Sequence, residues 1–249
     1  MNETIKQLSS RKSIREFTSQ SVKNEDLELI MKTAQRAPTS VNGQQISLVY
    51  TRNKETIKKI AKLAGGQKQI ENADVFITIV VDFNRTSFAV SQTNEIQNID
   101  KSAEGILVGA VDAGIMLSAL QVAAESLGYG TTAIGGIRNN PEEMIELLNL
   151  PKKTYPIVGT TIGVSTKEAK ESPLKPRIPF ESFALEDIYD NEKVKEGVLK
   201  YEVQLKDFRV KNNMNYMQSY CEQMSNYYKK IYNRKVAKSY ETQGFEFID

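Results

Sequence analysis

The spacing of apolar residues changes several times along this chain, and each change marks an element. Across residues 24–37, Leu27, Leu29, Ile30, Ala34 and Ala37 recur near the 3.6-residue period of an amphipathic helix, and Pro38 predicts its end. Residues 46–50 and 75–81 are short β-rich runs; the second is apolar enough for a central strand. Residues 129–134 and 157–164 predict two more strands, each interrupted by glycine.

The longest apolar run, residues 103–127, is rich in Ala, Gly, Leu, Val and Met and stops at Gly128. Nearly every face of that helix is apolar, which predicts burial all round, at the centre of the fold or across a subunit interface. Asp112, Gln121 and Glu125 interrupt it, and such residues are costly in hydrocarbon, so a buried helix is expected rather than a membrane span. Asn140-Pro141-Glu142-Glu143 predicts a short helix capped by Asn140 with Pro141 in its first turn. Beyond Pro179 aliphatic residues thin out, and Tyr201, Tyr216, Tyr220, Tyr227, Tyr228, Tyr232 and Tyr240 accumulate among charges, as expected of helical arms rather than a second core. Strands separated by helices, with helices at the end, predict an α+β fold built on one mixed sheet.

Composition narrows the chemistry. The chain has 249 residues, a net charge of +2 and no histidine. Without histidine there is no Ser-His-Asp or Cys-His nucleophilic system and no His-bearing metal site. The single Cys221 excludes an intrachain disulfide, a Cys-based zinc site and an iron–sulfur cluster, and fits a reducing cytosol. No metal site is expected. The small net charge argues against a nucleic-acid partner. The opening Met1-Asn2-Glu3-Thr4-Ile5 lacks a basic region followed by an apolar core, so no signal peptide and a cytoplasmic location are expected. An enzyme so poor in catalytic side chains is expected to take its chemistry from an organic cofactor.

Two basic clusters stand out. Arg11, Lys12, Ser13 and Arg15 place bidentate, point-charge and hydroxyl donors within five residues, a set suited to phosphate. Lys175 and Arg177 flank Pro176, whose fixed backbone holds both on a defined path. Taken alone, either cluster fits a solvated surface turn equally well. Pro38, Thr39, Ser40 and Asn42 lie between a helix and a strand, where polar groups reach a ring edge or simply form a turn. Gln67 follows Gly65-Gly66 and offers an amide with donors and acceptors, while Ile134, Gly135 and Gly136 let backbone approach a flat ligand. Lys206, Arg209 and Lys211 are basic positions further on. Cys221 reads as an incidental thiol.

The Arg11-Lys12-Ser13-Ile14-Arg15 motif, the Leu174-Lys175-Pro176-Arg177-Ile178-Pro179 string, the 37–45 segment and Ile134-Gly135-Gly136-Ile137-Arg138 together resemble the FMN-dependent nitroreductase family, in its NADPH-preferring oxygen-insensitive nitroreductase and flavin reductase branch. The resemblance implies a mixed, mainly antiparallel sheet flanked by helices with a C-terminal helical extension, in a homodimer with FMN at the interface. It implies an FMN-binding core over residues 1–180 and a helical arm over 181–249 packing on the core or the partner subunit. Arg11, Lys12, Ser13, Arg15, Lys175 and Arg177 would meet the FMN phosphate. Pro38, Thr39, Ser40 and Asn42 would reach the cofactor of the second subunit, although this loop is less serine-rich than in that branch. Gln67, Ile134, Gly135 and Gly136 would line the ring. Lys206, Arg209 and Lys211 would meet the 2′-phosphate of NADPH, with NADH as the other possible donor. The implied activity is ping-pong hydride transfer through FMN to small-molecule electron acceptors: nitroaromatics, quinones or free flavin. Reductive dehalogenation or flavin fragmentation on the same scaffold, and a noncatalytic FMN-binding protein, are the alternatives.

Overall fold

In the computed structural model, which describes residues 1–214 and 216–248, the chain opens with α1 (Glu3–Ser10), α2 (Asn24–Ala34) and β1 (Ile46–Thr51). Then come α3 (Lys54–Leu63), α4 (Lys68–Glu71), β2 (Val75–Asp82), α5 (Phe83–Ser91), α6 (Ala103–Ser126) and β3 (Gly130–Ile134). Helix α7 (Pro141–Leu147), β4 (Thr154–Gly163), α8 (Lys167–Glu171), α9 (Phe180–Phe183), α10 (Asn191–Lys211), α11 (Tyr220–Tyr228) and α12 (Val236–Thr242) complete it.

The strands form one sheet in the order β1-β2-β4-β3. The expected α+β architecture is present, but the sheet expected to be mixed is antiparallel at each pairing among the described residues. Strand β2 is central and buried on both faces because its side chains alternate between two apolar layers. Val75, Ile77, Ile79 and Val81 join Leu27, Ile30 and Ala34 of α2 and Ala113, Met116, Leu120 and Ala124 of α6. Phe76 points the other way, into Ile57 and Ile60 of α3, Ile70 of α4, Ile134, Ile137 and Met144 of α7.

Three expectations need correction. The first helix stops at Ala34, and the periodic pattern out to Ala37 belongs to a tightened turn in which the Ala37 amide donates to the Ala34 carbonyl at 2.9 Å. Pro38 disfavours helical backbone just before it. Of the two forms of burial expected for α6, the one at the centre of the fold does not occur: Ala113 and Leu120 are sealed in the core, whereas Leu107 and Val111 are each 60% exposed in the protomer. A helix laid on a sheet buries one side and leaves the other apolar face exposed in the protomer. The side chain of Asn140 does not cap α7; its amide donates to the Leu63 carbonyl and its oxygen accepts from Lys235. A carboxamide between two segments reaches better partners than the adjacent helix end.

The residues group into two compact units: one comprises 1–171 and the chain from Asn233 onward, the other Ser172–Tyr232. This differs from a division at residue 180. The end of the chain returns to the first unit, where Tyr240 stacks on Tyr155 with ring centroids 3.8 Å apart and Phe245 meets both edge-on. Tyr240 is therefore a core residue and not part of an arm. In the second unit, Asp190 caps α10 through the amides of Glu192 and Lys193, and α11 begins with a Ser219–Glu222 capping box. Gly197 brings α10 against α9: a Cβ there would lie 2.0 Å from the Ser182 hydroxyl.

Candidate functional site

The basic segment at residues 11–15 is tied to β3 by two hydrogen bonds to the Ile14 backbone. The Ile14 amide donates to the Thr131 carbonyl at 2.8 Å, and the Thr132 hydroxyl donates back to the Ile14 carbonyl. Gly130 makes this approach feasible, since a Cβ there would stand 2.6 Å from the Ile14 side chain and 2.3 Å from the Ser165 hydroxyl. With Ile14 buried, Arg11, Lys12 and Ser13 are half-buried and Arg15 is exposed.

Helix α6 holds Arg11 in place. Its guanidinium donates to Gln121 Oε1 at 3.1 Å and lies 3.7 Å from the Glu125 carboxylate, which also accepts from the Thr131 hydroxyl at 2.6 Å. Burial pushes the Glu125 carboxyl above its ordinary value, against the opposing pull of the Thr131 hydroxyl and the Arg11 charge. Lys12 donates to the Lys170 carbonyl.

The same strand carries the second expected segment at its far end. Gly135 follows Thr132 by three residues, about 10 Å along an extended chain. Gly136 packs directly on the turn containing Gln67: a Cβ on Gly136 would lie 2.4 Å from Gln67 Nε2 and 2.7 Å from the Ala64 carbonyl. Gly65 and Gly66, at φ 92° and 73°, form that turn as a helix C-cap. Gln67 Nε2 donates to the Ala64 carbonyl and Oε1 accepts from Gln69, which leaves each amide atom one further valence for a ligand. The Ile134 side chain is sealed in the core, so only its backbone can serve a site.

The loop after Pro38 has a different anchor. The Ser40 amide donates to both oxygens of Asp112, at 3.2 and 3.3 Å, and Gln45 Nε2 donates to Asp112 Oδ2 at 2.6 Å. Burial raises the Asp112 carboxyl above its ordinary value while these two bonds pull it down. Thr39 Oγ1 accepts from the Gln44 amide and closes the turn. Asp112 precedes Gln121 by nine residues on α6, about 14 Å of helix, so this loop and the basic cluster stand apart within one protomer. Asn42 and Ser40 face solvent.

In the second unit, Arg177 lines an aromatic-walled cavity of about 660 Å³ with Phe180, Phe183, Tyr201 and Tyr220. Its guanidinium sits 3.4 Å from the Lys175 and Pro176 carbonyls. Lys206 and Arg209 share another cavity, about 430 Å³, with Glu202, Met217 and Ser219. Arg209 is 8% exposed. Lys211 ends α10 and is not among that cavity's lining residues. Cys221 donates its amide to Glu202, and burial together with that carboxylate pushes the thiol up, so it stays protonated. Among the described residues no group of three or more His, Cys, Asp or Glu could hold a metal.

The residues not anticipated for the site are therefore those that position it: Asp112, Gln121, Glu125 and Gln45. For the three on α6 the signal was a polar side chain interrupting a largely apolar run. Two of them, Asp112 and Gln121, face inward and are buried.

A family model described as the nitroreductase family matches residues 8–164, and one described as the nitroreductase family, C-terminal domain, matches residues 175–248. The chain is 39% identical over 249 residues to a Bacillus subtilis protein named FMN reductase, NAD(P)H, covering 99% of each. It is 34% identical over 217 residues to the oxygen-insensitive NADPH nitroreductase of Salmonella typhimurium, covering 86% of each. The solved structure of B. megaterium NfrA2 superposes with a TM-score of 0.95 at 37% identity, covering all of both chains. The two matched segments span most of the chain, and the protein belongs to the nitroreductase family.

Proposed function

We propose that this protein is an FMN-dependent NAD(P)H oxidoreductase that passes reducing equivalents to small acceptors such as nitroaromatics, quinones or free flavin. The observation that carries the reading is the use of one strand, β3, to hold a cationic segment at one end and a glycine turn with a free amide valence at the other. The donor set fits FMN: guanidinium, ammonium and hydroxyl groups for a phosphate, and an amide with open donor and acceptor positions for the pyrimidine edge. Bound FMN supplies the hydride chemistry.

The protein's part is binding and electrostatics. Gln121 and Glu125 orient the Arg11 fork without removing its charge. Lys12, Ser13 and Arg15 add donors beside it, and Lys175 and Arg177 are assigned to phosphate on the resemblance of the 174–179 string to the family. Gly135 and Gly136 let main-chain N–H groups approach a ring, where they favour negative charge. Thr39, Ser40 and Asn42 belong to the site of a second subunit, in line with their separation from Arg11 on α6.

The exposed apolar face of α6, with Leu107, Val111 and Ile115 beside small Gly114, supports a homodimer built on this helix. Lys206 and Arg209 are assigned to the 2′-phosphate of NADPH, because a largely buried guanidinium and an ammonium share one cavity with the Ser219 hydroxyl. Lys211 is a weaker candidate on the exposed end of the helix. A cytoplasmic location suits the single free thiol and the use of a soluble reductant.

A visible absorption spectrum of the purified protein, followed by anaerobic NADPH and then NADH, tests this reading. A flavin band bleached by either donor supports it, and the faster donor sets the coenzyme preference. A colourless protein that takes up no added FMN would overturn it.

A further inference from the structure

The loop from Thr39 to Gln45 is strained; hydrogen bonds within the turn close it, and one carboxylate ties both of its ends to α6. Val41, Asn42 and Gln44 take φ values of 49°, 54° and 52°, in the left-handed region that side-chain-bearing residues avoid. Val41 is β-branched, which makes its position costlier still, and it is 97% exposed. Burial of Val41 therefore offers the protomer no compensation for this backbone. What ties this conformation to the body of the fold is Asp112, 3% exposed on the apolar helix α6, which accepts from the Ser40 amide at the start of the loop and the Gln45 carboxamide at its end. Gln45 is itself 2% exposed and folds across Gly43, where a Cβ would lie 2.2 Å from its Oε1. Among the described residues both partners of Asp112 are neutral donors, so the buried charge is committed to the loop.

We propose that Asp112 is a positioning residue: it holds the 39–45 loop in its strained, outward form so that Thr39, Ser40 and Asn42 meet the flavin ring of a second subunit. The role rests on the flavin reading above. A carboxylate suits it because two donors converge on it from opposite ends of the loop, and no neutral side chain of that size offers two acceptor oxygens.

The test uses two full-length variants. Asp112→Asn keeps the shape but replaces one acceptor with a donor. Gly43→Ala leaves α6 untouched and, at φ −71°, fits its backbone, but displaces the Gln45 amide. In both, hydrogen exchange at the Ser40 amide should accelerate about tenfold or more while the Leu120 and Ala124 amides of α6 keep their protection. The FMN dissociation constant, read by flavin fluorescence, should rise about tenfold. Unchanged exchange at Ser40 in both variants would overturn the proposal, as would protection lost throughout α6 in both, which marks general destabilisation. Faster exchange with unchanged FMN affinity would overturn the positioning role and leave the flavin reading standing. A wild-type protein that binds no FMN would end the flavin reading first, a result visible before either variant is made.

Discussion

Gly136 and Gln67, sixty-nine positions apart in sequence, are in contact: the Gln67 side-chain nitrogen lies 2.4 Å from the point where a Cβ on Gly136 would sit. The Ala64 carbonyl, 2.7 Å from that point, blocks a second escape route. Gly136→Ala should therefore push the 64–67 turn outward and cost about 1–3 kcal/mol of stability, as overpacking does. Thermal unfolding checks the first effect, and FMN titration should show weaker binding because Gln67 moves with the turn.

Replacing both Lys175 and Arg177 with Ala should weaken FMN retention and leave the fold intact. Both are exposed, and exposed charges rarely support a core. Unchanged FMN affinity in this double variant, measured by equilibrium dialysis, would remove both residues from the phosphate site.

Lys206→Ala should raise KM for NADPH about tenfold, the loss of one charge-assisted contact, with KM for NADH unchanged. Lys206 is exposed where Arg209, in the same cavity, is buried, so its removal spares the helix. Steady-state kinetics with both donors decide this, and equal effects on the two coenzymes would place the 2′-phosphate elsewhere.

Glu125 gives a pH signature. Burial outweighs the Thr131 hydroxyl and Arg11 and raises its carboxyl above the ordinary 4.5. A carboxyl with a raised folded pKa binds its proton more tightly in the native state, so its contribution is best below the ordinary value and declines as pH rises through the folded one. Glu125→Gln cannot ionise. Its stability relative to wild type should improve as pH is raised from about 4 to about 7. Unfolding midpoints across that range test the sign, and the opposite trend would mean that the Arg11 attraction dominates.

Thr78, fully buried on β2, is the one side chain among the described residues whose sealed polar atom lacks a hydrogen-bond partner. Thr78→Val keeps the β-branch and removes the stranded hydroxyl, which should stabilise by about 1 kcal/mol. A denaturant midpoint shifted upward, with FMN affinity unchanged, is the expected result.

Much of the fold was legible because it is written in local periods. The uniform apolarity of 75–81 announced a central strand, and the structure buries β2 on both faces. The helix that became α6 was equally plain, but its exposure was not: periodicity says which residues are apolar and not which face a sheet will cover. The same limit hid the purpose of Asp112, Gln121 and Glu125. In the sequence they read as interruptions that argue against a membrane; in the structure they anchor the 39–45 loop and Arg11.

The sequence by itself determined the chemistry that is available: no histidine, one cysteine, two cationic clusters and two glycine turns, in an order that resembles one flavoenzyme family. Residue types and short spacings carry that information because donors, charges and bare backbone act locally. Only the tertiary structure decided that Ile14 pairs with Thr131, that Gly136 closes on Gln67 and that Tyr240 returns to stack on Tyr155. Those contacts join residues 69 to 117 positions apart, and no local pattern encodes them, because they depend on which apolar faces find each other when the sheet closes.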